Sequence, residues 1–351
     1  ISIISQTDLD DRLVEAVGNV ELMGTLINST SNLNHVNPTA GFNALQMACR
    51  YGHTKSVDLL LKQEGIDINA ADKLSRTPLI LACTYGHAEI VDLLLEKEDL
   101  DVNHCSRALN EPALLNAVHG NYARIVESLL LKSKANVNAE DFFGKSALII
   151  ASRSGAIKIV PLLIAEKTIN VNHSDYEGRT ALIHACIYGL KEVVRALLFS
   201  GKCDVLHRDN YGNEALKYVK CCEIKVMIVE YLRANHHELE SDHVSKIESE
   251  AEFIREFGYN FWRVESLVKG GVDVNTKDEH GRTALMLACE KSRSEFVDFL
   301  LSQDGIDINA QDYWGDTALM LGVKSVKVVE SLLNKPEIKV FTTNKSGRNA
   351  F

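Results

Sequence analysis

A block of 34 residues recurs along the chain and constrains its fold more than any other feature. The clearest copy begins at Thr77 and runs through a Thr-Pro-Leu start, a Tyr-Gly-His turn and a Leu-Leu-Leu end. Further copies begin at Asn43, Pro112, Ser146, Thr180, Glu214, Thr283 and Thr317. They start 34 or 35 residues apart, except for a step of 69 that a degenerate copy at 249–268 fills. Such a period is typical of stacked supersecondary repeats that contact only their neighbours.

Each repeat predicts two short helices joined by a tight turn. Thr77 is a favourable N-cap, and Pro78 suits the first helical position. Gly86 stands where the first helix ends, at a place that favours left-handed backbone. Apolar residues at helical spacing follow, and then an Asp-Ile-Asn loop and an Asp-x-x-Gly turn. Neither helix can bury its apolar face alone, so the repeats must stack into a continuous core.

This sequence pattern resembles the repeat of the ankyrin-repeat family. The period, the Thr-Pro-Leu helix start, the turns Gly52-His53 and Gly86-His87, and the loop asparagine all match. The resemblance implies an all-α ankyrin-repeat solenoid of about ten helix pairs with short β-hairpin-like connecting loops. The family's His after Thr-Pro-Leu is replaced here by Ile80, Ile149, Ile183, Met286 and Met320. Apolar stacking must therefore replace the hydrogen bonds of that His.

The repeat pattern divides the chain into four segments. Residues 1–42 form an N-terminal capping helix pair and first loop, and 43–234 form a block of six repeats. Residues 235–282 form a degenerate acidic repeat, and 283–351 form a second block with a truncated last repeat. Because a weak repeat couples its neighbours poorly, we predict a hinge near 220–260. An ordinary decayed repeat is the alternative.

Composition narrows the function classes. The formal charge of −10 argues against nucleic acid as the partner, because phosphate binding needs concentrated Lys and Arg. The chain has no 18-residue apolar run and no signal-peptide pattern, so we expect no membrane insertion. Eight cysteines without a Cys-x-x-Cys pair favour a reducing compartment. We expect a monomer in the cytoplasm, or in the host cytosol if the chain is a secreted effector. Because Met is missing at its start, we also expect a fragment of a longer protein.

Few residues are left over for chemistry once the repeat is accounted for. Four cysteines share one repeat position and are expected to be small core fillers: Cys49, Cys83, Cys186 and Cys289. Gly144-Lys145-Ser146 resembles the end of a phosphate loop, but it lies on a repeat turn where Ser146 should cap a helix. His236, His237 and His243 lack the spacing of a metal pair. We therefore predict no catalytic residue, cofactor or metal; an intrinsically catalytic chain is the rival that a turnover screen would reveal.

The binding surface is predicted from positions that the repeat does not need. In the family, first helices and hairpin tips line the concave face. Two rows of first-helix residues are expected to face it: Tyr51, Tyr85 and Tyr188, preceded by Arg50, Thr84 and Ile187. The tips carry Phe142, Phe143, Tyr176, Tyr211, Tyr313 and Trp314, with Phe142 expected to be the more exposed of its pair. The alternative is that these rings pack between repeats.

These observations favour a protein–protein interaction scaffold that binds a partner protein on its concave face. The alternative is the targeting or substrate-recruiting portion of a larger enzyme, or of a secreted effector of an intracellular organism. The resemblance also implies that loop asparagines can be hydroxylated, and Asn69 and Asn309 match that context best. Simple turn stabilisation is the other interpretation of these two residues.

Overall fold

The computed structural model describes residues 6–30, 32–235, 249–250, 252–254, 256, 260–278 and 280–350. In this part of the chain the helices come in pairs, as the repeat predicts. The pairs are Gln6–Glu15 with Val20–Ile27, Ala44–Tyr51 with Thr54–Leu60, Pro78–Tyr85 with Ala88–Leu95, Ala113–His119 with Ala123–Lys132, Ala147–Ser154 with Ile159–Ala165, Ala181–Ile187 with Lys191–Phe199, Ala215–Tyr218 with Cys222–Ala234, Ala284–Glu290 with Ser294–Leu301, and Ala318–Gly322 with Val326–Leu333.

Two shorter features complete the secondary structure. A 3-10 helix, Ala16–Gly18, lies inside the first pair, and the helix Phe261–Lys269 belongs to the degenerate copy. Isolated antiparallel bridges close the hairpin turns, as between Glu140 and Ser146 or between Gln311 and Thr317. The connecting loops are therefore hairpin-like without extended strands in the residues described. None of the helices described is long and apolar enough to cross a lipid bilayer.

The chain forms two compact units. The first comprises Ile1–His184, Phe199–Asp204 and Arg208–Tyr211; the second comprises Ala185–Leu198, Val205–His207 and Gly212–Phe351. Much of the acidic stretch after residue 235, including His236, His237 and His243, lies outside the described residues. The hinge near 220–260 and the four segment boundaries therefore stay predictions.

The helix starts follow from capping. Asn43 and Gln46 form a reciprocal capping box: Asn43 Oδ1 accepts from the Gln46 backbone N–H at 2.8 Å, and the Asn43 N–H donates to Gln46 Oε1 at 2.9 Å. Thr77 caps its helix, with Pro78 at the first position. Ser146 is the N-cap residue of its helix, as expected, but its buried hydroxyl makes no capping hydrogen bond. The first turn of that helix, including Leu148, is buried.

The helix ends show why glycine is needed. Gly52 and Gly86 have left-handed φ values of 77° and 79°. A Cβ at Gly52 would lie 2.6 Å from the ring of His87 in the next repeat, and one at Gly86 would lie 2.6 Å from the ring of Tyr122. Tyr122 therefore takes over the packing role of the missing turn histidine. Only glycine accepts both this backbone and this close approach.

The core runs along the first helices of the repeats. Leu79, Ile80 and Leu81 are all buried, and Ile90 and Leu94 of the following helix close over them. The residues that replace the family His are buried at Ile80, Ile149, Ile183 and Met286, so apolar stacking does substitute for hydrogen bonding there. Met320 is only partly buried.

The four repeat-equivalent cysteines are buried, as expected: Cys49, Cys83, Cys186 and Cys289. Burial raises the pKa of Cys289 to about 12, and it raises the pKa values of Cys49 and Cys83 further. These thiols are protonated at neutral pH and are unsuited to nucleophilic chemistry.

Candidate partner-binding surface

Seven loop asparagines each join their repeat to the next by two hydrogen bonds. Asn69 Nδ2 donates to the Asp99 carbonyl at 2.7 Å, and its Oδ1 accepts from the Asp101 N–H at 2.8 Å. Asn309 bonds Glu337 and Lys339 in the same way. The same bridge is made by Asn34, Asn103, Asn138, Asn172 and Asn275. These asparagines therefore hold neighbouring loops in register. Hydroxylation of Asn69 and Asn309 stays a prediction.

An aspartate organises each regular hairpin tip. Oδ1 of Asp175 accepts from the backbone N–H groups of Glu177 and Arg179, both at 3.0 Å. The same two contacts recur at Asp72, Asp141, Asp278 and Asp312. Successive tips are also bonded to each other, as where the Tyr176 N–H donates to the Phe143 carbonyl at 3.1 Å. The backbone that presents the tip side chains is thus fixed before any partner arrives.

The tips present exposed aromatic rings. Tyr176 and Tyr211 are exposed, and Trp314 lies against the ring of His280 with centroids 5.4 Å apart. Phe142 and Phe143 are 55% and 56% exposed, so the expectation that Phe142 is the more exposed is wrong. The Phe142 N–H donates to the Leu109 carbonyl of the preceding hairpin, as the Tyr176 N–H donates to the Phe143 carbonyl.

Cations accompany several of these rings. The Lys145 ammonium lies 4.8 Å from the centroid of Phe143, and the Arg179 guanidinium lies 5.6 Å from that of Tyr211. The tips also pack on one another: a Cβ at Gly144 would lie 2.5 Å from the Tyr176 ring. Tyr176 therefore packs on the preceding repeat, as the alternative interpretation expects, while the binding of a partner by the exposed rings stays a prediction.

In the first compact unit, two tyrosines gather around Arg50. Its guanidinium carbon lies 5.7 Å from the ring centroid of Tyr51, 5.4 Å from that of Tyr85 and 5.1 Å from that of Phe42. Arg76 lies 5.6 Å from Phe42 on the same cluster. We call these five residues the Arg50 cluster. Tyr51 and Tyr85 remain 58% and 41% exposed, so the cluster faces solvent.

Sequence reasoning missed Phe42. It immediately precedes the helix cap Asn43, at a position where other repeats carry Arg76, Lys145, Arg179 or Arg282. The signal that could have found Phe42 is an aromatic residue at a repeat position that is more often Lys or Arg.

Thr84 has a different role from its neighbour Tyr85. Its hydroxyl lies 2.7 Å from the Ile80 carbonyl and 3.0 Å from Asn116 Oδ1 in the next repeat. Thr84 therefore contributes to the contact between repeats.

The second compact unit brings together a separate set of the predicted residues. Tyr188 is exposed, Ile187 is partly buried, and the Tyr313 hydroxyl would lie 3.4 Å from a Cβ at Gly189, the residue after Tyr188. Burial, together with Cys221 and Asp278, raises the pKa of Tyr313, so its hydroxyl is a neutral donor at physiological pH.

A buried histidine also escaped sequence reasoning. Nε2 of His184 lies 2.7 Å from Oδ2 of the tip residue Asp175. Burial lowers the pKa of His184, although the carboxylate of Asp175 opposes that shift. The pair joins a first helix to the hairpin that precedes it.

A family model described as ankyrin repeats, in three copies, matches residues 13–104, 114–209 and 254–344. The chain belongs to the ankyrin-repeat family. The all-α ankyrin-repeat fold inferred from the 34-residue period is thereby confirmed. Ankyrin repeats are generally protein–protein interaction modules.

This ankyrin-repeat chain is also similar to a solved structure, the ankyrin repeat domain of Bcl-3, which is described as a unique member of the IkappaB protein family. The two are 27% identical with a TM-score of 0.56, and the match covers 62% of this chain and 97% of that one. Among the curated proteins, none matches the chain.

Proposed function

We propose that this chain binds a partner protein through the surface formed by its first helices and hairpin tips, with the Arg50 cluster as the anchor in the first compact unit. The single observation that carries the proposal is the state of Arg50. Its guanidinium is surrounded by three aromatic rings and makes no ion pair within the residues described. An Arg flanked by exposed Tyr is the composition of an interface hot spot.

The chemistry of the cluster favours an acidic segment on the partner. Arg76 is already paired with Asp72 at 2.7 Å, whereas the edge of the Arg50 guanidinium is available to a carboxylate. Cation–π contact with the rings fixes the plane of that guanidinium. A planar, pre-oriented fork binds a carboxylate with two parallel hydrogen bonds.

Binding should cost little ordering. The loops and tips are already joined by hydrogen bonds between repeats, so the backbone of the surface is preformed. A preformed surface retains more of its contact energy as affinity than one that folds on binding.

The test is capture of the partner from native cells by wild type and by a variant with Tyr51, Tyr85 and Tyr188 changed together to Ala. We expect the variant to lose the partner because its aromatic anchors are gone. Phe199→Ala is the matched control, since Phe199 is an exposed aromatic residue on a second helix. It should retain the partner.

Arg50→Lys refines the test, because Lys keeps the charge but lacks the planar fork. We expect weakened capture. Full capture by the triple variant, with a wild-type circular dichroism spectrum, would remove the site proposal.

The narrower alternative also uses this surface. A targeting or substrate-recruiting portion of a larger enzyme, or of a secreted effector, would bind by the same groups, and the full-length gene distinguishes these cases. Cytoplasmic location and a monomeric state stay predictions.

A further inference from the structure

Three metal-ligating side chains converge in the first compact unit. A ligand atom from each of Glu111, His119 and Asp141 lies within 4.8 Å of the other two. Nε2 of His119 is 3.0 Å from Oε1 of Glu111. Glu111 and Asp141 are both only 6% exposed, whereas the His119 side chain is about half exposed.

The cluster arises from a charge reversal in the repeat. Glu111 immediately precedes its helix start, where four other repeats carry a base such as Arg282 and one carries the carboxylate Asp316. His119 lies seven residues after the start, at the position of Glu290. Arg282 and Glu290 form an ordinary ion pair at 2.8 Å. At the Pro112 repeat the carboxylate has moved to the first position, and it meets a second carboxylate from the next hairpin.

That second carboxylate lacks the base that its equivalents have. Oδ1 of Asp141 accepts from the N–H groups of Phe143 and Lys145. At Asp72 and Asp278 the other oxygen pairs with an Arg four residues later. The residue in that place here is Lys145, whose ammonium lies over the Phe143 ring instead.

Two buried carboxylates are thus left with one imidazole between them. Within the described residues, no Lys or Arg pairs with either carboxylate, and His119 is the only side chain paired with the Glu111 carboxylate. Burying a carboxylate is unfavourable unless a cation or hydrogen-bond donors compensate for the lost water.

Contrary to the expectation from the sequence that the chain binds no metal, we propose that Glu111, His119 and Asp141 bind a divalent transition-metal ion of the Zn²⁺ class. Zinc takes carboxylate oxygen and imidazole nitrogen ligands at about 2.0–2.2 Å, so ligand atoms around it lie roughly 3–4 Å apart. A small inward movement of one side chain closes the present separation. The imidazole ligand selects against Mg²⁺ and Ca²⁺, which prefer all-oxygen sites. The exposed side of His119 gives the ion a way in and leaves a position for water.

The ion would join two repeats. Glu111 and His119 belong to the repeat that starts at Pro112, and Asp141 belongs to the following hairpin. The Pro112 repeat lacks the hairpin Asp and Gly of its siblings, since His104 to Glu111 replace them. Metal binding would supply a connection at a repeat that lacks the usual hairpin Asp and Gly.

Calorimetric titration of the metal-free chain with ZnCl₂ at neutral pH tests the proposal. Wild type should bind one equivalent more than Asp141→Asn, in which the amide keeps the Oδ1 acceptor that the turn requires. Asp312→Asn is the matched control, because Asp312 makes the same two backbone contacts and belongs to no cluster of metal-ligating side chains among the residues that the structure describes. It should bind as wild type does. MgCl₂ should give no heat from this site.

A second variant protects the test against misfolding. His119→Gln changes a half-exposed side chain and should also lose one equivalent of Zn²⁺. Substitution of Co²⁺ should give a visible absorption band that both cluster variants lack. Equal zinc binding by wild type and His119→Gln, or no zinc binding by wild type, would overturn the proposal.

Discussion

At the residue scale, a single imidazole couples the stability of the first compact unit to pH. Burial lowers the pKa of His184 below its ordinary value of 6.5. The unfolded chain therefore binds this proton more readily than the folded chain. The neutral imidazole of His184 contributes its full stability above about pH 6.5. That contribution is lost as the pH falls from there toward the pKa of His184 in the folded chain.

His184→Gln should reduce that pH dependence. The Gln amide can still donate to Asp175 but does not titrate. We expect wild type to lose more free energy of unfolding between pH 7.5 and pH 5.5 than the variant does, as measured by urea denaturation at both pH values. Equal losses would mean that His184 keeps an ordinary pKa in the folded chain.

Two glycines of the second compact unit separate backbone strain from close packing. Gly281 and Gly305 have nearly the same left-handed φ, 76° and 77°. A Cβ at Gly281 would lie 2.7 Å from the Tyr313 ring, whereas one at Gly305 would meet nothing within 4 Å. Gly281→Ala should therefore be less stable than Gly305→Ala by about 1–3 kcal/mol in urea denaturation. Similar values for the two would show that the Tyr313 ring moves aside freely.

Residue-scale features were predictable only where they repeat. The burial of Cys83 and Ile80 follows from their place in a 34-residue register. The His184–Asp175 pair and the Glu111–His119–Asp141 cluster do not, because each depends on a residue that breaks the register. Periodicity shows where a side chain lies in its own repeat, and it does not show which atoms of the next repeat it meets.

At the element scale, the loop asparagines make neighbouring repeats interdependent. Asn69→Ala removes a donor and an acceptor that both bond the next loop. At about 1 kcal/mol for each net hydrogen bond, we expect a loss of roughly 2 kcal/mol in the free energy of unfolding. Asn69→Asp keeps the acceptor and should lose about half as much. Thermal and urea denaturation measure the free energies of unfolding of the two variants. A wild-type value for Asn69→Ala would mean that these two hydrogen bonds contribute no net stability.

Helix boundaries were predictable because the signals are local. Thr77 with Pro78 marks a start, and Gly86 marks an end, in both the sequence and the structure. The failures concern orientation: the Ser146 hydroxyl does not cap, and Phe142 is no more exposed than Phe143. A local sequence pattern specifies neither the direction of a hydroxyl group nor the exposure of a ring.

At the scale of the whole molecule, the two compact units should unfold as separate steps. Each repeat is stabilised chiefly by its neighbours, and the copies near Glu214 and 249–268 are the most eroded. The two Trp residues of the chain, Trp262 and Trp314, both belong to the second compact unit. Tryptophan fluorescence therefore reports that unit, whereas far-UV circular dichroism reports both.

We expect the urea unfolding curves from these two signals not to coincide. The side chain of Trp262 is exposed, so Trp262→Phe should leave stability unchanged. The fluorescence then comes from Trp314 alone, and the two curves should still differ. Superimposable curves, with a single midpoint, would indicate that the whole chain unfolds as one cooperative body.

The contact between a turn glycine and the ring of the following repeat bears on how such a gene can change. Gly52 is matched to His87, and Gly86 is matched to Tyr122, so each contact is encoded by two adjacent blocks. When recombination duplicates or deletes one repeat, a new pair of neighbours forms. The contact is kept only if the ring of the second repeat packs against the turn glycine of the first. The unit that recombination must keep intact therefore spans the boundary between two repeats. We expect tolerated crossovers at boundaries where either His or Tyr can pack against the glycine.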